Sequence, residues 1–214
     1  TITMELKDIK TLITSGTIIL AVGLYLVFSE PKQETEQTDS PAITEQNSAY
    51  NITPKMVMDK TGKQLVDVKF LNANDGDTFN VEIDGKTERV RLLMIDTPEM
   101  NYNKGEPMPY AEEAKARTTE LLEKADSVQL LFDKGPETDN YDRLLAYAFV
   151  DNISLHEVLL SEGLAAVRYV NKPNDTLEKE LLEIQQQAEQ KKLNIWAHDN
   201  YLQHDGFHPE EVSK

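Results

Sequence analysis

The chain has 214 residues, no cysteine and a formal net charge of −16, which arises from 38 acidic and 22 basic side chains. This length holds one well-buried domain with extensions, and a second domain of full size is not expected. The lack of cysteine excludes a disulfide framework and a thiolate zinc site, and the acidic balance argues against nucleic-acid binding through a broad basic face.

Residues 12–28 form an uncharged, mostly apolar run, at the short end of the roughly 20 residues that span a bilayer. Lys7 and Lys10 precede the run and Glu30 follows it, which favours an N-terminus inside and the remaining chain outside. We therefore predict that residues 1–28 are a membrane anchor. A cleaved signal segment, which would give a secreted protein, and a buried core helix are the alternatives.

The next stretch, residues 29–63, is rich in Glu, Gln, Thr, Ser and Pro, and this composition predicts a flexible tether that cannot pack a core. We place the folded domain at 64–199 and a polar C-terminal tail at 200–214. The three histidines at the end of the chain are interpreted as exposed residues without a role; they are His198, His204 and His208.

Five stretches of the domain are predicted to be β-strands, and the first two alternate partly between apolar and polar residues. The predicted strands are 64–73, 78–83, 87–95, 127–132 and 144–150, and the predicted helices are 110–125, 154–162 and one from about 175. The order of three strands, a helix, two strands and two helices fits an α+β domain built on a five-stranded OB-fold Greek-key β-barrel with three helices. Sequence order alone leaves other α+β arrangements open.

Three short segments carry charged residues at the ends of predicted strands: 74–78 (NDGDT), 91–99 (RLLMIDTPE) and 138–143 (TDNYDR). Taken singly, the first is typical of a turn, and Arg143 in the third is typical of a surface ion pair. Their combination indicates more than structure, because the loops at the ends of barrel strands can converge.

Asp77, Asp96 and Glu99 supply hard oxygen donors, and calcium takes six to eight such ligands in a flexible geometry. None of the three segments contains histidine, which argues against zinc and against a histidine general base. Clustered carboxylates repel one another unless a cation or arginines compensate for their charge, so the cluster indicates a binding site rather than a stabilising feature.

Five ordered motifs resemble the staphylococcal nuclease (thermonuclease) family over roughly Val66 to Asp199. They are DGDT at 75–78, RLLMIDTPE at 91–99, DKGPETDNYDR at 133–143, YVNKPN at 169–174 and KLNIW at 192–196. The resemblance implies the same OB-barrel with three helices. It also implies a calcium-dependent hydrolase of DNA and RNA that has little sequence specificity and leaves 3′-phosphate ends, here on the outer face of a bacterial membrane.

The resemblance also implies a role for each matching residue. Calcium would be held by the carboxylates of Asp77 and Asp96 and the backbone carbonyl of Thr97. Glu99 would hold or deprotonate the attacking water. Arg91 and Arg143 would bind the scissile phosphate, and Tyr141 and Tyr169 would contact the nucleotide. We expect a monomer without a protein partner.

The sequence departs from the family at Asn140, Asp142 and Asn171, and Asp142 is expected to compete for the guanidinium of Arg143. Two other functions are considered, a non-catalytic nucleic-acid-binding OB module and a calcium-binding surface protein. The first should have lost a catalytic side chain and kept a basic groove. A calcium-binding surface protein would leave Arg91 and Arg143 without a function.

Overall fold

The computed structural model describes residues 50–102 and 105–212. The predicted anchor at 12–28 and the part of the predicted tether up to residue 49 lie outside the described residues. Among the residues that are described, no helix combines the length and the apolar character needed to cross a membrane.

The described chain contains four α-helices, ten strands and two short 3₁₀ segments. The helices are α1 (Pro54–Thr61), α2 (Ala111–Lys124), α3 (Leu155–Ser161) and α4 (Glu178–Gln190). The first five strands are β1 (Val66–Ala73), β2 (Thr78–Ile83), β3 (Lys86–Leu92), β4 (Ile95–Asp96) and β5 (Val128–Phe132). The others are β6 (Leu144–Val150), β7 (Ile153–Ser154), β8 (Ala166–Val167), β9 (Leu202–Gln203) and β10 (Gly206–Phe207). The 3₁₀ segments are Asn194–Ala197 and Pro209–Glu211.

Five strands form a closed barrel in the order β3-β2-β1-β5-β6, and a β3–β6 pairing closes it. The closing pair is parallel, with Val90 opposite Leu144 and Leu92 opposite Ala146, whereas the other barrel pairs are antiparallel. This closed five-stranded barrel with helices confirms the predicted α+β barrel of the OB type. The described chain has four helices rather than the three predicted.

The barrel interior is filled by aliphatic and aromatic side chains, and β6 is buried at five consecutive residues rather than at every second one. Phe79 and Val81 on β2 and Leu130 on β5 are completely buried, as are Ala148 and Phe149 on β6. Each large side chain of this kind stabilises the fold by about 1.5–3 kcal/mol on transfer from water. A rigid barrel therefore carries the strand ends at which the charged residues lie.

Helix α1 corrects the predicted boundary at residues 63 and 64. Thr53 caps the helix by accepting from the backbone N–H of Met56, and Ile52 and Val57 are buried in the core. The carboxylate of Glu157 accepts from the backbone N–H groups of Asn51 and Ile52, each at 2.7 Å. The folded unit thus includes residues assigned to the tether, because a helix of only eight residues gives little periodic signal.

The segment after residue 199 is also folded, which corrects the predicted polar tail. Strands β9 and β10 form a hairpin, and Tyr201 in front of it is completely buried and donates a hydrogen bond to the carbonyl of Pro109 at 2.6 Å. The histidine interpretation holds for His204, whose side chain is 95% exposed. His198 instead contacts the hydroxyl of Tyr110, and His208 lies within hydrogen-bond distance of Asp205 and Glu210.

Candidate active site

The carboxylates of Asp77 and Asp96 lie at one end of the barrel. Asp77 immediately precedes β2, and its Oδ2 accepts from the backbone N–H of Thr97 at 2.8 Å, which ties the start of β2 to the end of β4. Asp96 ends β4, which pairs with β8 so that Asp96 lies opposite Ala166. The structure therefore brings together the three predicted metal-binding residues.

Arg91 on β3 joins the two carboxylates. Its Nη2 lies 3.0 Å from Oδ1 of Asp96 and 3.4 Å from Oδ2 of Asp77. Its Nη1 donates to the carbonyls of Leu92 and Ile95 at 2.7 and 2.6 Å. With 11% of its side chain exposed, Arg91 is fixed in position by both carboxylates and carbonyls. A planar guanidinium suits this role because its donors form a fixed fork.

Gly76 explains why the DGD sequence here is more than a surface turn. A Cβ at this position would lie 2.7 Å from Cβ of Ala114 and 2.9 Å from Cγ2 of Thr97, so only glycine fits. The carbonyl of Gly76 accepts from the hydroxyl of Thr118 on α2 at 2.6 Å. The close approach packs α2 against the turn and fixes the position of Asp77.

Glu99 reaches solvent beside this pair, in a cluster of negative charge. Partial loss of hydration, followed by the charges of Asp75, Asp77 and Asp96, raises the pKa of Glu99 to about 7. Burial, followed by the charge of Asp77, also raises the pKa of Asp96, to about 6, against the opposing effects of Arg91 and Arg168. The carboxylates therefore lie close enough to repel one another, as Asp and Glu do when a counter-charge is incomplete.

The second arginine, Arg143, lies in the loop before β6. Its Nε donates to Oδ2 of Asp139 at 2.7 Å, and Oδ1 of Asp139 accepts from the backbone N–H groups of Tyr141 and Arg143. Asp142 has a left-handed backbone with φ of 58°, a conformation that aspartate adopts more readily than most residues. The carboxylate that pairs with the guanidinium is that of Asp139, whereas the sequence suggested Asp142.

A cleft of about 350 Å³ connects the two arginines. Its lining includes the catalytic candidates Arg91, Glu99 and Arg143 together with Asp96 and Tyr169. Tyr169 is 60% exposed and its ring centre lies 5.9 Å from the guanidinium carbon of Arg91. Tyr141 is 79% exposed, and its ring centre lies 5.6 Å from the guanidinium carbon of Arg143. Both predicted nucleotide-contacting rings are thus exposed beside the predicted phosphate-binding groups.

The donor set fits a hard divalent cation that takes part of its shell from carbonyls and water. Within residues 50–102 and 105–212, no three Asp, Glu, His or Cys side chains form a metal site by themselves. Asp77 and Asp96 nevertheless face a common arginine, and their crowding with Glu99 leaves negative charge to be neutralised. The hydroxyl oxygen of Thr97 is buried and has no hydrogen-bond partner among these residues. Oxygen donors of this kind are the ligands that calcium prefers.

Two residues at the site were missed by the sequence reasoning. Arg168 places its Nε 3.4 Å from Oδ2 of Asp96, and Asp75 contributes to the charge around Glu99. Asp75 lies inside the DGDT motif, but its role there could also be that of a turn residue. Arg168 directly precedes Tyr169, and this adjacency is the one signal that could have found it.

A model of the family described as staphylococcal nuclease homologue matches residues 89–198 of this chain. Endonuclease YncB of Bacillus subtilis (strain 168) is 37% identical over 205 residues, which cover 92% of this chain and 97% of that protein. The chain belongs to the staphylococcal nuclease family.

Two further relatives match a smaller part of this chain. The SPbeta prophage-derived endonuclease YokF of Bacillus subtilis (strain 168) is 44% identical over 68% of this chain and 49% of its own length. The thermonuclease of Staphylococcus hyicus is 36% identical over 60% of this chain and 75% of its own length. The matched family segment contains Arg91, Asp96, Glu99 and Arg143, and it begins after Asp77.

Proposed function

We propose that this member of the staphylococcal nuclease family is a calcium-dependent nuclease. It hydrolyses DNA and RNA phosphodiester bonds with little sequence specificity and leaves 3′-phosphate ends. Family membership and relatives named endonuclease and thermonuclease make the chain a phosphodiester hydrolase. The observation that carries the proposal is the cleft that holds Arg91, Glu99 and Arg143 beside the carboxylate of Asp96.

Substrate binding falls to the two arginines. A phosphodiester is anionic and repels an incoming hydroxide, so its non-bridging oxygens need positive charge and hydrogen-bond donors. Arg91 and Arg143 approach the cleft from different elements, β3 and the loop before β6. A guanidinium can donate two parallel hydrogen bonds to phosphate oxygens. Arg143 pairs with Asp139 through its Nε, whereas Arg91 would exchange Nη contacts with carbonyls or carboxylates for contacts with the phosphate. Donors fixed in this way are worth about 10²–10³ in rate.

Glu99 is the residue that acts on the attacking water. Its side chain reaches solvent in the cleft, where a carboxylate can accept a proton or a hydrogen bond from water. The raised pKa of about 7 describes Glu99 without a metal ion, and a cation bound at Asp77 and Asp96 would lower it. Asp77, Asp96 and the carbonyl of Thr97 would hold calcium, which supplies a Lewis acid and a template for the reaction when it is bound. Glu99 then either takes the proton of the water or orients the water.

The exposed tyrosines suit contacts with bases. Every base has a π-face, so stacking on Tyr141 or Tyr169 tolerates any sequence. Because residues 66–214 carry 30 acidic and 16 basic side chains, long-range attraction to nucleic acid is weak and affinity depends on these local contacts. We expect a high Michaelis constant and ready product release.

The position in the cell forms part of the proposal. Residues 12–28 are apolar enough to anchor the chain, and the charges around them favour a catalytic domain on the outer face of a bacterial cell membrane. Cleavage of this segment would give a secreted form, which fractionation of cells expressing the chain distinguishes from an anchored one. We propose a monomer without a protein partner. The two non-catalytic functions are disfavoured because both arginines and all three carboxylates are present at the site.

The direct test is cleavage by the full-length chain of matched DNA and RNA strands with calcium, with magnesium and with a chelator. Cleavage of both substrates is expected only with calcium, and the products should prime a polymerase only after phosphatase treatment, because a 3′-phosphate blocks extension. Arg117→Lys serves as the control variant, since Arg117 pairs with Glu120 and Glu162 on other surfaces. Cleavage that needs no metal, or none under any condition, would contradict the proposal.

A further inference from the structure

Arg168 brings a third guanidinium to the site from the C-terminal half of the chain. It follows β8, and its backbone N–H donates to the carbonyl of Met94 at 2.9 Å, which extends the β4–β8 pairing by one residue. Its side chain is 15% exposed, and its Nε lies 3.4 Å from Oδ2 of Asp96. Its Nη1 donates to the carbonyl of Gln203 at 3.1 Å. The hairpin of β9 and β10 therefore holds Arg168 against Asp96.

Asp96 consequently faces a guanidinium at each oxygen. Oδ1 lies 3.0 Å from Nη2 of Arg91, and Oδ2 lies 3.4 Å from Nε of Arg168. Arg91 also faces Asp77 and lines the cleft, so a phosphate can engage it. Arg168 is held by the hairpin carbonyl, and its charge stays beside Asp96 when Arg91 binds substrate.

We propose that Arg168 is a fixed counter-ion of Asp96 that weakens metal binding, so that calcium occupies the site only where it is abundant. The inference rests on the proposed calcium site at Asp77 and Asp96. A cation bound to one of these carboxylates lies within a few ångströms of the Arg168 charge, and charges at such separations remain strongly coupled at a part-buried site. Arg168 acts through the effect of its charge on Asp96.

The test is calcium binding to the full-length chain, measured by titration calorimetry without nucleic acid. Arg168→Gln removes the charge and should tighten binding by at least about tenfold, whereas Arg168→Lys keeps it and should stay within about threefold of the natural chain. Arg117→Gln is the matched control, because it removes the same charge from an ion pair with Glu162 and should leave the calcium affinity unchanged. Melting temperatures in chelator report whether each variant is folded.

The opposite role gives the opposite result. If Arg168 chiefly orients Asp96 for the metal, Arg168→Gln should weaken binding by about 10–100-fold, and this outcome or an unchanged affinity overturns the inference. Tight binding by Arg168→Lys also overturns it, because the charge is kept. If neither the natural chain nor Arg168→Gln binds calcium, the proposed calcium site itself fails. Calcium binding by the natural chain with no change in Arg168→Gln refutes only the present inference.

Discussion

The two walls of the cleft hold their arginines in different ways. On the barrel wall, formed by β3 and β4, Arg91 is 11% exposed and contacts two carboxylates and two carbonyls. On the loop wall, formed by residues 138–143, Arg143 is 27% exposed and pairs with Asp139 beside the exposed Tyr141. Substitution at Arg91 should therefore disturb both catalysis and folding, whereas substitution at Arg143 should disturb catalysis alone.

The largest effect is expected from Arg91→Ala. The variant loses a phosphate ligand and leaves Asp77 and Asp96 without their common partner, so kcat should fall about 10²–10³-fold. Unfolding in chelator should show a stability loss of about 3–5 kcal/mol, the usual cost of breaking a buried ion pair. Calcium should restore part of that stability because it replaces the lost positive charge. An unaltered urea midpoint would show that Arg91 does not compensate the carboxylates.

Arg143→Lys tests the loop wall. The charge is kept and the fork is lost, so kcat/KM should fall by at least about tenfold. The free energy of unfolding should change by less than about 1 kcal/mol, because the Arg143–Asp139 pair is part-exposed. Steady-state kinetics and urea unfolding of the same preparation provide both numbers. Turnover close to that of the natural chain would rule out a bidentate phosphate contact.

The buried His156 should make the stability of the domain depend on pH. Its Nε2 donates to the carbonyl of Leu93, and burial lowers its pKa to about 3 from an ordinary value of 6.5. The unfolded chain therefore binds a proton below pH 6.5 that the folded chain binds only near pH 3. The stability that depends on neutral His156 is fully present above pH 6.5. As the pH falls from 6.5 towards 3, the free energy of unfolding decreases by up to about 1.4 kcal/mol per pH unit.

Urea unfolding between pH 4 and 7 should consequently show a shallower acid loss in His156→Asn than in the natural chain. His204→Asn is the control, because its exposed side chain should leave the slope unchanged. Parallel slopes for His156→Asn and the natural chain would mean that this histidine has the same pKa in the folded and unfolded chains.

The smallest effect is expected from Asp142→Gly on the loop wall. Glycine accepts the left-handed backbone at this position, and the guanidinium of Arg143 pairs with Asp139 rather than with Asp142. The Michaelis constant should therefore change by less than about twofold, since an exposed charge outside this pair is well screened. A clear fall in the Michaelis constant at low salt would revive the competition that the sequence suggested.

The sequence was most informative on the barrel wall. Arg91, Asp96 and Glu99 fall within nine residues, with Arg91 on β3 and Asp96 at the end of β4, so a strand pattern and a motif together predicted them. The partner of Arg143 was misjudged because Asp142 and Asp139 are both near in sequence, and only the turn of the loop decides between them. The position of Arg168 at the site depends on the long-range pairing of β4 with β8, and no local sequence pattern predicts that pairing.

The ends of the folded unit were misplaced for a related physical reason. Helix α1 has only eight residues, three of them buried, and the C-terminal hairpin pairs only two residues on each strand. Tertiary contacts stabilise both elements more than their own periodicity does. Tyr201 lies in the stretch that was predicted to be a polar tail, yet it is completely buried.

The C-terminal hairpin region makes two long-range contacts with the rest of the domain. The hydroxyl of Tyr201 holds the carbonyl of Pro109, at the end of the loop that starts beyond Glu99, and the carbonyl of Gln203 holds Arg168 beside Asp96. Trimming the protein at residue 198, where the family match stops, would remove both supports in a single cut. A shortened enzyme made for crystallisation or biotechnology should therefore retain the sequence through Phe207.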